Sequence, residues 1–268
     1  MYADINGLKM FYEISGTSDP AKVPVVLLHG AISATGTSFG PLPDLLAQTR
    51  QVIAVEQQGH GRTADIDRPL SVQAMADDTL ALLASLGIGR ADLFGYSLGA
   101  GIALNILTRH PAVARKAVLA SVTYDKTGLH PDMLSRPESG ESAEAPGRDL
   151  QAPFEQEYRA VAPQPGNWPA LLAKVQAMKL PEITPQAIAA IDIPILLIIG
   201  DSDIVTPEHA VAMFRLLGGG VLGDLAPMPP TQLAVLPGTS HIGVTSRADM
   251  LMTMIPPFLD APLLGPDG

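Results

Sequence analysis

Short runs of consecutive apolar residues alternate along this chain with longer stretches in which apolar side chains recur every three or four positions, the signature of buried strands separated by amphipathic helices. Val23 to Leu28, Gln51 to Val55, Ala91 to Phe94, Lys116 to Val122, Ile195 to Ile199 and Gln232 to Leu236 are such runs, rich in Val, Ile and Leu and bounded by turn residues. They fit a parallel sheet covered on both faces. Tyr2 to Ser15 instead holds two alternating stretches around Asn6-Gly7, a dipeptide suited to a tight turn, and predicts an antiparallel hairpin. Val72, Met75, Ala76, Thr79, Leu80, Leu83 and Leu86 fall at helical spacing, with Ser71 placed to cap that helix and Gly87 to stop it. A second helix is predicted over Leu98 to Arg109, ended by Pro111, with small residues at Gly99, Ala100 and Gly101 for close backbone approach. A last helix is predicted near Arg247 to Ile255, ahead of a Pro- and Gly-rich tail expected to fray.

Between Thr123 and Ile193 the alternation breaks. This stretch holds nine of the 25 prolines, and the Glu, Ser, Ala, Gly and Pro of Glu138 to Gly147 have little to bury, which predicts a mobile loop. Two helices are expected after it, the second capped by Asn167 with Trp168, Leu171, Leu172, Val175 and Met178 on one face. The expected organisation is a core made of residues 1–122 and 194–268 and a cap, residues 123–193, inserted between strands and laid over their carboxyl ends. A helix pair packed elsewhere on the core is the alternative. There is no internal repeat.

Composition narrows the classes. With 268 residues, 47% apolar and 16% charged, the chain has the side chains for one large buried core. A formal charge of −10 repels a phosphate backbone or an anionic membrane, so nucleic-acid and membrane partners are not expected. The absence of cysteine removes disulfides, thiolate metal sites and a Cys nucleophile. Neither a basic-then-apolar leader nor a membrane-length apolar run is present, and a cytoplasmic location is the expectation.

The candidate chemistry centres on Gly95-Tyr96-Ser97-Leu98-Gly99, which follows a predicted strand and opens a predicted helix. A Gly-x-Ser-x-Gly turn in that context is a nucleophile elbow, where the serine stands exposed on a strained bend. A serine hydroxyl is a weak nucleophile at neutral pH. It needs a base for its proton, an acid to orient the base, and donors for the oxyanion.

With that elbow, Leu28-His29-Gly30-Ala31, Gln57-Gln58-Gly59-His60-Gly61-Arg62, Gly200-Asp201-Ser202-Asp203 and Pro237-Gly238-Thr239-Ser240-His241 each stand where a strand ends. Over nearly its whole length the chain resembles the α/β-hydrolase superfamily, in particular its compact esterase, lactonase and carbon-carbon hydrolase branch. The resemblance implies an α/β fold with a mostly parallel central sheet, helices on both faces and a helical cap. It implies a triad in the chain order Ser97, Asp203, His241. His241 would be the base, and Asp203 would hold its tautomer. Asp201 and Asp125 are alternative acids; Gly-x-x-Asp spacing favours Asp203. The remaining histidines fit the base worse: His110 ends a helix, His209 is inside one, His130 is in the expected cap, and His29 and His60 belong to turns. Backbone N–H groups of Leu98, at a helix start, and Ala31 would form the oxyanion hole. The family's usual aspartate before the Gly-His-Gly turn is replaced by Gln57 and Gln58.

Serine at the elbow excludes the aspartyl-ester chemistry of related dehalogenases and epoxide hydrolases. Hydrolysis of a small carboxylic ester is the expectation, with an enol-lactone or a carbon-carbon bond as alternatives; Ala31-Ile32-Ser33 in place of a Gly-rich turn lowers the last. No cofactor or metal is expected. Tyr96, Tyr124, Phe154, Tyr158, Trp168, Leu172 and Met178 are candidate pocket residues, suggesting a small apolar substrate group, with Arg136, Arg148 or Arg159 available for an anionic one. A small-molecule receptor that retains the triad is the non-enzyme alternative.

Overall fold

The protein is described by a computed structural model over residues 1–134, 149–180 and 182–263. In chain order it forms strands β1 (Tyr2–Ile5), β2 (Leu8–Ser15) and β3 (Val25–Leu28), helices α1 (Thr35–Phe39) and α2 (Leu42–Ala47), strand β4 (Val52–Val55), α3 (Val72–Ser85), β5 (Ala91–Tyr96), α4 (Leu98–Arg109) and β6 (Ala114–Ala120). Four helices follow, α5 (Pro131–Leu134), α6 (Ala152–Val161), α7 (Trp168–Ala177) and α8 (Pro185–Ala189). The chain then returns as β7 (Ile195–Ser202), α9 (Pro207–Leu216), β8 (Gln232–Ser240) and α10 (Ala248–Asp260). The eight strands lie in the order β1-β2-β4-β3-β5-β6-β7-β8. Only the β1–β2 and β2–β4 pairings are antiparallel. This is the mostly parallel α/β sheet that the apolar runs predict.

Each central strand feeds two cores because successive side chains point to opposite faces. Val26, Leu28, Ile53 and Val55 pack with Met75, Leu83, Ile102 and Ile106 of α3 and α4. Val25, Leu27, Val52 and Ala54 pack on the other face with Phe39, Leu46, Leu251 and Ile255 of α1, α2 and α10. Burial on both faces explains why these strands read as unbroken apolar runs. The order also reverses at β3, which has β4 on one side and β5 on the other. In open α/β sheets that switch point leaves a crevice at the carboxyl ends, where ligands bind.

Local signals hold in detail. Asn6 and Gly7 turn the first hairpin at φ 51° and 85°, Ser71 accepts from Ala74 N–H at 3.1 Å to cap α3, and Gly87 stands at φ 71° just past its end. Three expectations are corrected. Asn167 does not cap α7; its amide donates to Gln164. Helix α10 runs past Ile255 through Pro256 and Pro257 to Asp260. Its last carbonyls are taken up by cations from β6, Arg115 to Leu259 O at 2.7 Å and Lys116 to Phe258 O at 2.7 Å, partners too distant in sequence to leave a local signal. Gly101 is not needed for close approach, since a Cβ built there meets nothing within 4 Å. The segment Glu138 to Gly147, Arg136, Arg148 and residues 264–268 lie outside the described residues.

Candidate active site

Five strand ends converge on Ser97. The serine follows β5 directly and precedes α4, with φ 54° and ψ −117°. The glycines on either side make that bend feasible: a Cβ on Gly95 would run into Gly99 O and Ala100, and one on Gly99 would run into the carbonyl of Leu28 at the end of β3. The elbow is thereby pressed against β3, beside the turn that carries Ala31.

His241 follows β8, and its Nε2 lies 3.0 Å from Ser97 Oγ. Its other ring nitrogen, Nδ1, is 2.7 Å from Asp203 Oδ1. A carboxylate can only accept, so Nδ1 carries hydrogen and Nε2 is left to accept the serine proton. Tyr96 Oη donates to the backbone carbonyl of His241 at 3.0 Å and its ring lies 5.3 Å from the imidazole, which fixes the loop that bears His241.

Asp203, past the end of β7, is buried and fully engaged. Oδ1 also accepts from Val205 N–H at 3.3 Å, and Oδ2 accepts from Ser121 Oγ at 2.6 Å and Gly200 N–H at 3.1 Å. Burial pushes this carboxyl up, but the hydrogen bonds and charge from His241, with those from Ser121 and Gly200, outweigh it and hold the group below the usual carboxylate range. The rival acids do other work. Asp201 accepts from Gly238 and Thr239 N–H at 2.7 and 3.0 Å, and Asp125 accepts from Thr127 N–H at 2.8 Å.

The turn histidines are structural. His29 Nε2 accepts from Gln57 N–H at 3.0 Å while Nδ1 donates to Gly30 O at 2.7 Å. Burial lowers His29 to about 4 despite that carbonyl, and burial with His29 as neighbour lowers His60 to about 3. Gln58, standing near the family's usual aspartate, donates to Asp65 at 2.8 Å and accepts from Arg68 at 2.7 Å. His209 stacks on Tyr124, His130 is exposed beside Asp132, and His110 ends α4.

A cavity of about 290 Å³ opens beside Ser97. It is lined by Ala31, Leu98 and Ser121 together with Val72, Val175, Met178 and Ile204. Leu98 N–H is one of the four donors that the start of a helix leaves without an intrahelical acceptor. Of the aromatic and aliphatic residues expected to line a pocket, Met178 does so. Of the other six, Tyr96 holds the His241 loop, Tyr124 stacks on His209, Tyr158 and Trp168 pack on each other with ring centres 5.5 Å apart, and Phe154 and Leu172 pack against the main core, as Met178 also does. Large aromatics bury most area by packing together, and here that gain goes to the core. Arg159 pairs with Glu155 on the surface of α6. Ser121, Gly101 and the aliphatic wall carry no local motif; the one signal for Ser121 is its place directly after a buried strand. No cluster of metal-ligating side chains occurs among the described residues, and no described helix is long and apolar enough to cross a membrane.

Comparison with known proteins bears on this geometry. Residues 25–251 match the model of the alpha/beta hydrolase family. The pimeloyl-[acyl-carrier protein] methyl ester esterase of Neisseria meningitidis serogroup B is 26% identical over 264 residues, covering 89% of this chain and 93% of that protein. RutD of Rhizobium rhizogenes, whose name gives a carbamate as its provisional substrate, is 32% identical over 122 residues. That match spans 45% of this chain and 46% of RutD, just under half of either. The crystal structure of the enol-lactonase from Burkholderia xenovorans LB400 superposes with a TM-score of 0.68 at 19% identity, covering 97% of this chain and all of that one, which is a likeness of fold.

Proposed function

The chain belongs to the alpha/beta hydrolase family, and on that premise we propose that it is a serine hydrolase that cleaves a small carboxylic ester through an acyl-enzyme on Ser97. The observation that carries this reading is the continuous line Asp203 Oδ1 to His241 Nδ1 at 2.7 Å and His241 Nε2 to Ser97 Oγ at 3.0 Å. His241 takes the hydroxyl proton as Ser97 Oγ attacks the ester carbonyl carbon. The resulting oxyanion is received by Leu98 N–H and Ala31 N–H. Collapse breaks the bond to the alcohol oxygen, to which His241 returns the proton, leaving the acyl group on Ser97. Water, deprotonated by His241, attacks that acyl carbonyl and releases the acid, with the proton restored to Ser97 Oγ. Asp203 stays ionised throughout and stabilises the imidazolium.

Residues 123–193 serve as a cap in this account. Leu129, Val175, Met178 and Leu180 from this segment line the same cavity as Ser97 and Leu98, and Lys174 ties α7 to the core through Asp65 at 2.6 Å. A lactone is an internal ester and follows the same steps. The names of the esterase relative and the lactonase neighbour are consistent with acyl chemistry of this kind.

The test is turnover of short-chain aryl esters. Wild type is expected to release product over many cycles, and Ser97→Ala or His241→Ala to lower kcat by about 10⁶-fold while remaining folded. Undiminished hydrolysis by Ser97→Ala overturns the mechanism, and stoichiometric binding without turnover by wild type favours a receptor.

A further inference from the structure

Gly101 stands one turn after Ser97 on α4, and its role differs from that of the two elbow glycines. Gly95 and Gly99 are required by sterics, since a Cβ on either would strike backbone. A Cβ on Gly101 would meet no atom within 4 Å, and its backbone is not in the left-handed region. Glycine is among the least favourable residues within a helix. Neither packing nor backbone geometry accounts for it. What its missing side chain leaves is space in the cavity, which Gly101 lines together with Val72, Val175 and Met178.

The position of the cavity says which part of an ester occupies that space. The departing alcohol must stand beside His241, because His241 protonates it. His241 is not among the described residues lining the cavity, whereas Ala31 and Leu98, the oxyanion side, are. The cavity therefore faces the acyl side. None of the described residues lining it carries a charge, so none of them compensates a carboxylate or ammonium brought out of water.

We propose that Gly101 sets the depth of an acyl pocket, and that the preferred substrates carry an uncharged, unbranched apolar acyl chain that extends past Gly101 toward Val175 and Met178. This inference rests on the reading of Ser97 as the acylated nucleophile and adds the substrate class and a specificity-determining residue.

The experiment compares p-nitrophenyl esters from acetyl to octanoyl, with a hexanoyl-length chain ending in a carboxylate, on wild type, Gly101→Ala and Gly101→Leu, alongside thermal unfolding of each. For wild type, kcat/KM is expected to rise about fourfold per added methylene until the pocket is filled, and the carboxylate-ended ester to be rejected. The ratio of kcat/KM for hexanoyl over acetyl is expected to fall several-fold in Gly101→Ala and more than tenfold in Gly101→Leu. Gly101→Ala is also expected to raise Tm by about 2–4 °C, from helix propensity alone. An unchanged hexanoyl-to-acetyl ratio in folded Gly101→Ala and Gly101→Leu overturns the proposal, as does equal turnover of the carboxylate-ended chain. Failure of the underlying reading looks different, because full activity on every ester would then survive in Ser97→Ala.

Discussion

At φ 54°, Ser97 holds a backbone conformation that costs a non-glycine residue about 1–3 kcal/mol. Among the described residues only Asn6, Ile32 and Ser121 join it. Asn6 turns the first hairpin, while Ile32 follows Ala31 and Ser121 holds Asp203, so the remaining strain gathers at the site. Ser121 has a role that no motif announces. Its hydroxyl donates to the Asp203 oxygen that faces away from His241 at 2.6 Å. That bond helps hold the carboxylate with its other oxygen on His241 Nδ1. Ser121→Ala keeps the backbone equally strained but removes the donor. The expected outcome is a fall of about tenfold in kcat/KM, the scale of one hydrogen bond to a charged group. An unaltered rate would show that Ser121 serves only to end β6.

Among the elements, those with a local cause were readable in the sequence. The hairpin followed from Asn6-Gly7, α3 from Ser71 and its apolar spacing, and the elbow from two glycines that only this bend demands. Features without a local signal depend on distant partners, as in the extension of α10 over Arg115 and Lys116. The β4 end shows a further consequence of burial. Glu56 is fully buried directly after β4, where it accepts from the Arg62 guanidinium at 2.8 Å and from the Arg62 N–H, pinning the Gln57 to Arg62 turn. Burial raises it from 4.5 to about 7 in spite of Arg62. Because the folded state holds this proton more tightly, the associated stability is present below pH 4.5 and is lost as pH rises through 7, about 3 kcal/mol in all. Urea unfolding at pH 5 and pH 8 should therefore show the stability of wild type relative to Glu56→Gln declining across that interval. Parallel curves would contradict the raised titration.

In the whole molecule, the sheet order explains why residues as far apart in the chain as Ser97, Asp203 and His241 meet. The site lies at the carboxyl ends of the paired strands β3 and β5, and β6, β7 and β8 add Ser121, Asp203 and His241 in sequence. Their order along the chain was legible because each follows a buried run. The cavity was not, because its walls come from α3, α4, the β7–α9 turn and the segment between β6 and β7, which no single periodicity joins. At the amino end of the same sheet, buried Asp92 accepts from Arg115 at 2.9 Å, Arg50 pairs with Asp260 at 3.0 Å, and Lys116 holds the end of α10. Ionic contacts far from Ser97 thus lock the sheet while the opposite edge is left free for chemistry.

Hydrolysis by the proposed route requires that an acyl group be carried on Ser97. Intact-mass measurement of enzyme acid-quenched during turnover of a slowly deacylating aryl ester tests it most directly. The expected result is a mass increase of one acyl group, mapping to the peptide that contains Ser97, formed in the burst phase and absent from Ser97→Ala. A burst of product with no adduct, or an adduct on another residue that persists in Ser97→Ala, would contradict it.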